Sequence, residues 1–237
     1  MRRAALLGLA LLPLAMGAEA QTCRQALVLA LDVSSSVDAE EDALQRAGLA
    51  AALTAPDVQE AFFASPTPVA LAVYEWSGRY NQELLLDWTM IDTPAILEEA
   101  STRIATSRRS HNDFPTAMGY ALGYAATLID KGPDCWRATI DMAGDGINNE
   151  GFPPQTAYAE FPFDNVTVNG LVVNAADFEG EINLINFFRY EVLRGPGAFL
   201  EVADGFADYE RAMTRKLVRE LSSMAIGAAG DAGARGG

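Results

Sequence analysis

The chain has 237 residues, half of them hydrophobic, and carries a formal charge of −15 at pH 7. That length and apolar content suffice for one sizeable core, so a single domain is the working expectation. The excess of acid repels phosphate backbones, which argues against nucleic acid as a partner and favours a protein that attracts cations.

In chain order, Arg2 and Arg3, the apolar stretch Ala4 to Met16 and the triplet Ala18-Glu19-Ala20 have the layout of a secretory signal with a small-x-small cleavage site. Residues 1–20 are expected to be removed, leaving Gln21 first. The apolar run is too short to cross a bilayer, and no later stretch approaches the ~20 residues a spanning helix needs. Gln21-Thr22 before Cys23 matches a lipoprotein cleavage site poorly, so a soluble periplasmic or secreted protein is expected rather than a lipid-anchored one.

Ala26 to Leu31 is an unbroken apolar run and predicts a strand buried on both faces of a parallel sheet. It ends at Asp32-Val33-Ser34-Ser35-Ser36, where one carboxylate followed by hydroxyls two and four positions on can turn several hard oxygens toward one point. Asp38 is the expected N-cap of a helix running to about Thr54, and Pro56 opens a shorter one through Phe63. Val69 to Trp76 and Glu83 to Trp88 read as strands joined by a tight reversal at Gly78 and Asn81, an antiparallel hairpin at the sheet edge. Ile91 to Ser107 has helical spacing of Leu97, Ala100 and Ile104. The polar segment Arg108 to Asp113 holds the only histidine; without a second histidine or a nearby cysteine, His111 is read as a loop residue.

Phe114 to Leu122 begins a helix with Thr116 in its first turn and small residues at Ala117, Gly119, Ala121 and Gly123. Arg137 to Ala143 predicts a second buried strand, which ends at Asp145 between Gly144 and Gly146, with Asn148-Asn149 following. The long loop from Gly151 to Asn165 carries Phe152, Tyr158, Phe161 and Phe163, expected to pack beneath its prolines. Val166 to Val173 is the next strand, Ile182 to Leu193 a helix, Ala198 to Val202 a short strand, and Phe206 to Ala225 a closing helix. The expected organisation is a signal peptide over 1–20, one domain over 21–226 and a loose Gly/Ala-rich tail over 227–237. The two cysteines, Cys23 and Cys135, both precede strands; parallel neighbours would put them at one edge, where a disulfide is expected in an oxidising compartment, two buried thiols being the alternative.

The segments Asp32-x-Ser34-x-Ser36, Thr116 at a loop-to-helix junction and Gly144-Asp145-Gly146 resemble the three metal motifs of the von Willebrand factor A (VWA) domain and its metal-ion-dependent adhesion site (MIDAS). The Gly-Asp-Gly-x-Asn-Asn form and Glu75-Trp76-Ser77-Gly78 look like a bacterial exported, largely uncharacterised branch of that family (DUF1194-like). The resemblance covers about residues 24–225, and it departs at Pro115, where the family often has glycine. It implies an α/β, doubly wound, mostly parallel central sheet with helices on both faces and one antiparallel edge strand, as in Rossmann-like folds. It also implies a metal site of Asp32, Ser34, Ser36, Thr116 and Asp145 that holds Mg²⁺ or Mn²⁺.

The function implied is a non-catalytic binding module whose cation engages an acidic group on a protein partner. The alternative is a metal-dependent hydrolase acting on phosphoesters or peptides at the same site, which would need a general base that neither His111 nor Glu150 supplies by position in the sequence. No Gly-x-Gly-x-x-Gly follows the first strand, which disfavours a dinucleotide enzyme, and Ser34 stands where an aspartyl-nucleophile phosphatase would want a second carboxylate.

Overall fold

The computed structural model describes residues 23–174 and 178–232. Among the described residues six strands form one sheet in the order β3-β2-β1-β4-β5-β6: β1 (Gln25–Asp32), β2 (Val69–Ser77), β3 (Asn81–Ile91), β4 (Ala138–Gly144), β5 (Val166–Val173) and β6 (Leu200–Ala203). All neighbours are parallel except β2 and β3, the expected hairpin at one edge. The α-helices among the described residues are α1 (Ala39–Thr54), α2 (Pro56–Phe63), α3 (Pro94–Ala105), α4 (Met118–Asp130), α5 (Pro154–Glu160), α6 (Phe178–Phe187) and α7 (Tyr209–Ala232). This is the doubly wound α/β architecture, in which ligands bind beyond the carboxyl ends of the strands.

The alternation along β1 shows why both sheet faces are covered. Leu27, Leu29 and Leu31 point into a core shared with Leu49 and Leu53 of α1, Phe62 of α2, Leu97 of α3 and Leu217 of α7. Val28 and Ala30 point the other way, toward Met118, Ala121 and Leu122 of α4 and Phe188 behind α6. Each Leu, Val, Met or Phe side chain so buried contributes on the order of 1.5–3 kcal/mol.

Several boundaries differ from those read off the sequence. β3 extends to Ile91, which pairs with Val69, so α3 starts only at Pro94, with the Thr93 hydroxyl accepting from Ile96 N as its cap. The segment 151–165, expected to be one long loop, contains α5: Pro154 is at the first helical position, where a missing N–H costs nothing. The helix expected to reach Leu193 becomes a π-helical turn over Phe188–Val192. α7 continues past Ala225 to Ala232, where a loose tail was expected from Gly227. The expected signal peptide and the last five residues of the expected tail lie outside the described residues.

The edge away from the strands' carboxyl ends is clamped. Cys23 and Cys135 form a disulfide with Cα atoms 4.6 Å apart, closing a loop of 112 residues. Buried Arg24 donates to the carbonyls of Ala61 and Phe62 in the last turn of α2 and to that of Leu221 midway along α7, tying the two helices to the start of β1. Lys216, fully buried, is ion-paired with Asp141 of β4 and lies 3.5 Å from Glu220. Burial first, and then the charge of Asp141, hold the Glu220 carboxyl well above the usual carboxylate range. A cavity of about 870 Å³ opens at this edge. The polar groups on its floor are engaged with one another, Gln25 Nε2 donating to Thr139 Oγ1 at 3.0 Å and to Glu220 at 3.3 Å, and Asn169 Nδ2 to Glu220 at 3.3 Å. No described helix is long and apolar enough to cross a membrane.

Candidate functional site

At the opposite edge β1 and β4 are neighbours, and both end on a polar loop. The loop after β1 delivers Asp32, Ser34 and Ser36 before α1 begins. Its shape comes from within: Ser34 N donates to Asp32 Oδ1 at 2.8 Å, and Val37 N to Ser34 O at 3.0 Å. α1 is then locked by a capping box, the Asp38 side chain accepting from Glu40 N and Glu41 N while Glu41 Oε2 accepts from Asp38 N.

The second loop, ahead of α4, lies across the first. Ser35 N donates to Phe114 O at 2.8 Å, and Gly78 N at the hairpin turn donates to Pro115 O at 2.7 Å. The third loop, after β4, holds the second from behind. Asn149 Oδ1 accepts from Thr116 N at 2.9 Å, Asn148 Oδ1 from Gly119 N at 3.3 Å, and Thr116 O accepts from Asn149 N and Glu150 N. The two asparagines therefore act as clamps on the threonine loop, which explains how Pro115 is accommodated: its carbonyl is still used, and Thr116 is fixed by its neighbours.

All five residues named from the sequence meet here. Thr116 Oγ1 donates to Ser34 Oγ at 3.2 Å, Ser34 Oγ is 3.1 Å from Ser36 Oγ, and Ser36 Oγ donates to Asp145 Oδ1 at 2.7 Å. Asp32 is buried, and its second oxygen, Oδ2, finds no hydrogen-bond partner among the described residues. The glycines flanking Asp145 make room for this. A Cβ at Gly144 would sit 2.9 Å from Asp32 Oδ2, and one at Gly146 3.0 Å from Thr116 Oγ1.

A buried carboxylate oxygen without a donor is costly if ionised, and the electrostatics reflect that. Burial, and after it the charge of Asp145, push Asp32 from its ordinary 3.8 up to about 8. Burial also raises Asp145, opposed by its hydrogen bond from Ser36. Two carboxylates and three hydroxyls form a set of hard oxygen donors, of the kind that suits Mg²⁺ or Mn²⁺ better than a soft metal. The residues present thus fit a divalent cation. Among the described residues no group of three or more His, Cys, Asp or Glu side chains is placed to hold a metal ion; three of the five donors here are hydroxyls.

Two participants were given no role from the sequence, although Glu75 belongs to the family-like stretch Glu75-Trp76-Ser77-Gly78. Arg109 grips the β1–α1 loop from outside: Nη2 donates to the carbonyls of Val33 at 2.8 Å and Ser34 at 2.9 Å, Nη1 to Val37 at 2.6 Å, and Nε to His111 at 2.7 Å. Glu75 anchors the Arg109 segment by accepting from Ser110 N at 2.7 Å and pairs with Arg46 of α1, which also holds Asp42 at 2.9 Å. The residues considered as bases are engaged elsewhere, His111 Nδ1 with the Ser110 hydroxyl at 2.8 Å and Glu150 with Arg79 at 3.2 Å. The loop aromatics pack as expected, Phe152 stacking on Tyr120 at 4.1 Å and Phe163 buried edge-on to Tyr158 at 4.7 Å.

Solved structures with this fold include proximal thread matrix protein 1 from the mussel byssus, at 19% identity and a TM-score of 0.58 over 85% of this chain and 49% of that one. A further structure of that protein is described as having a zinc-occupied MIDAS motif, at 18% identity, a TM-score of 0.58 and coverage of 86% and 49%. A von Willebrand factor type A protein from Catenulispora acidiphila matches at 14% identity with a TM-score of 0.54, over 84% of this chain and 43% of that one. The pilus adhesin SpaC from Lactobacillus rhamnosus GG matches at 11% identity with a TM-score of 0.56, over 86% and 31%. The chain spans about half the length of the mussel protein and less of the others. No curated protein matches it by sequence. Residues 22–225 match the family described as "Protein of unknown function (DUF1194)", and the chain belongs to that family, with a VWA-like domain as its fold.

Proposed function

We propose that this is an exported, non-catalytic binding module in which Asp32, Ser34, Ser36, Thr116 and Asp145 hold Mg²⁺ or Mn²⁺ and present it to an acidic group on a protein partner. The observation that carries the reading is the buried Asp32 Oδ2, which has no hydrogen-bond donor among the described residues, on the loop whose Ser34 and Ser36 hydroxyls join Thr116 and Asp145 in one chain. Such an atom is neutralised by a proton or by a cation, and the hydroxyls and second carboxylate joined to its loop are oxygen donors that favour the cation. When bound, the ion supplies a Lewis-acidic position for an external carboxylate.

The chain's own residues do the rest. The hydroxyls of Ser34, Ser36 and Thr116, now donating along a chain that ends on Asp145, can turn their lone pairs inward without moving the backbone. Asp32 and Asp145 together neutralise a divalent charge, and Arg109 behind the loop leaves the surroundings receptive to one more anion. The zinc-occupied MIDAS of the mussel protein and the adhesin fold of SpaC support this reading by likeness of fold. The Cys23–Cys135 disulfide fits a periplasmic or secreted protein. Binding is preferred over hydrolysis of phosphoesters or peptides because His111 and Glu150 are tied to Ser110 and Arg79.

The test is capture of exported proteins on immobilised chain with Mg²⁺ against EDTA, alongside calorimetric titration with Mg²⁺ alone. Asp32→Ala should abolish both signals with the fold retained by circular dichroism. Full, EDTA-sensitive capture by Asp32→Ala would show the site assignment to be wrong. Turnover in a phosphatase and esterase screen that Asp32→Ala abolishes would favour the hydrolase.

A further inference from the structure

This inference rests on the reading above and concerns what surrounds the acidic group at the site. Three of the large apolar side chains left exposed lie on the loops that build it: Tyr80 at 83%, Ile147 at 48% and Phe114 at 40% of full exposure. Phe114 precedes Pro115-Thr116, Ile147 follows Asp145-Gly146, and Tyr80 is at the tip of the β2–β3 hairpin that is bonded to Pro115 through Gly78.

Two of these rings are braced by others. The Tyr80 ring stands edge-on to Tyr120 at 5.9 Å, and Tyr120 is itself stacked on Phe152. Phe114 is edge-on to His111 at 5.2 Å. Rigid apolar groups held at the rim of a polar site lose little entropy on binding, and exposed apolar clusters with a polar surround mark interaction surfaces.

We propose that Tyr80, Phe114 and Ile147 form the specificity surface of the site, receiving the apolar side chains on either side of a single acidic residue in an extended segment of a protein partner. Charge selects a single acid. The five ligands and a divalent ion sum to zero, and Arg109 adds one positive charge behind them. Outside that point the molecule is strongly acidic, with 32 acids against 17 basic residues, and the charge of Glu41 acts on Asp145 at the site. A chain bearing an acid at every unit, such as a polyuronate, meets that repulsion at each further carboxylate, whereas apolar neighbours of one Asp or Glu meet the rim.

The experiment uses the intact protein and two capped peptides, Ac-Leu-Asp-Phe-NH₂ and Ac-Gly-Asp-Gly-NH₂, titrated by calorimetry with Mg²⁺ and with EDTA. In Mg²⁺ the Leu/Phe peptide should bind about tenfold more tightly, the worth of partly burying an apolar side chain, and neither should bind in EDTA. Tyr80→Ser/Phe114→Ser/Ile147→Ser should bind the two peptides equally with its Mg²⁺ affinity unchanged. Tyr80→Ser alone, at so exposed a position, gives a reduced preference if the triple variant folds poorly. Equal affinities in the wild type, tighter binding of trigalacturonate than of either peptide, or Mg²⁺ binding without peptide binding overturns the rim. Failure of the wild type to bind Mg²⁺ in the peptide-free titration overturns the metal site itself.

Discussion

Asp32 has a carboxylate where the surroundings penalise its charge, and that fixes the sign of its pH dependence. With its metal-free value at about 8 against an ordinary 3.8, Asp32 holds a proton at neutral pH that a cation has to displace. Affinity for Mg²⁺ should therefore rise with pH from about 6 and level off above about 8, by up to about tenfold per unit. Titration across that range checks this, and a flat profile would show that Asp32 is already ionised. The linkage to stability follows from the same shift. Because the folded value is raised, the contribution of Asp32 to the metal-free protein is fully present below about pH 4 and is lost as pH climbs through about 8. Thermal melts without metal should show this decline, and Asp32→Asn should remove it. Arg109 is the other residue whose effect can be stated. Its guanidinium holds the carbonyls of Val33, Ser34 and Val37 in one orientation. Arg109→Ala should weaken Mg²⁺ binding roughly 10- to 100-fold, as outer-sphere substitutions at metal sites do, and Arg109→Lys should restore only part because lysine cannot span three acceptors in a plane.

α4 carries the threonine loop, and its own placement depends on two glycines one turn apart. A Cβ at Gly119 would lie 2.1 Å from the carbonyl oxygen of Phe152, and one at Gly123 2.8 Å from the Phe161 ring. The helix surface is hollowed there so that the 151–165 segment can lie against it. Gly119→Ala, which meets backbone, should destabilise by about 1–3 kcal/mol despite the gain in helix propensity, and Gly123→Ala, which meets a ring able to shift, should cost less; urea melts would rank the two. The small residues of α4 were visible in the sequence, and so were Asp32, Thr116 and Asp145, because each sits where a period changes from strand or loop to something else. Arg109 was not. An arginine in a polar loop has no local signature, and its partners Val33 and Ser34 lie 76 and 75 residues away. The Arg46–Glu75 and Lys216–Asp141 pairs were hidden for the same reason: a charge inside an apolar pattern shows that a partner is needed but not which one. α5 was lost to its prolines, whose effect reverses between the first turn and the middle of a helix.

The molecule as a whole puts unlike jobs at the two ends of its sheet. At the strands' carboxyl ends, unpaired oxygens and like charges are gathered, so that edge is stabilised by whatever binds there. At the amino ends the disulfide, Arg24 and the Lys216–Asp141 pair hold the chain against itself. β1 links the two, running eight residues from Gln25 to Asp32, which at about 3.3 Å per residue is roughly 25 Å. Over that separation, effects that share no side chain should add to within about 0.5 kcal/mol. Replacing the disulfide with Cys23→Ala/Cys135→Ala opens a loop of 112 residues and should cost about 2–5 kcal/mol. Mg²⁺ at a hundred times its dissociation constant should add about 2.7 kcal/mol, by mass action on the folded state alone. Urea melts of both forms with and without Mg²⁺ make a complete cycle, in which the Mg²⁺ increment should be the same with the disulfide as without it. An increment that shrinks in the Ala/Ala variant would mean that the clamp helps to shape the metal loops, and β1 would then be transmitting strain along its length rather than merely joining two independent ends.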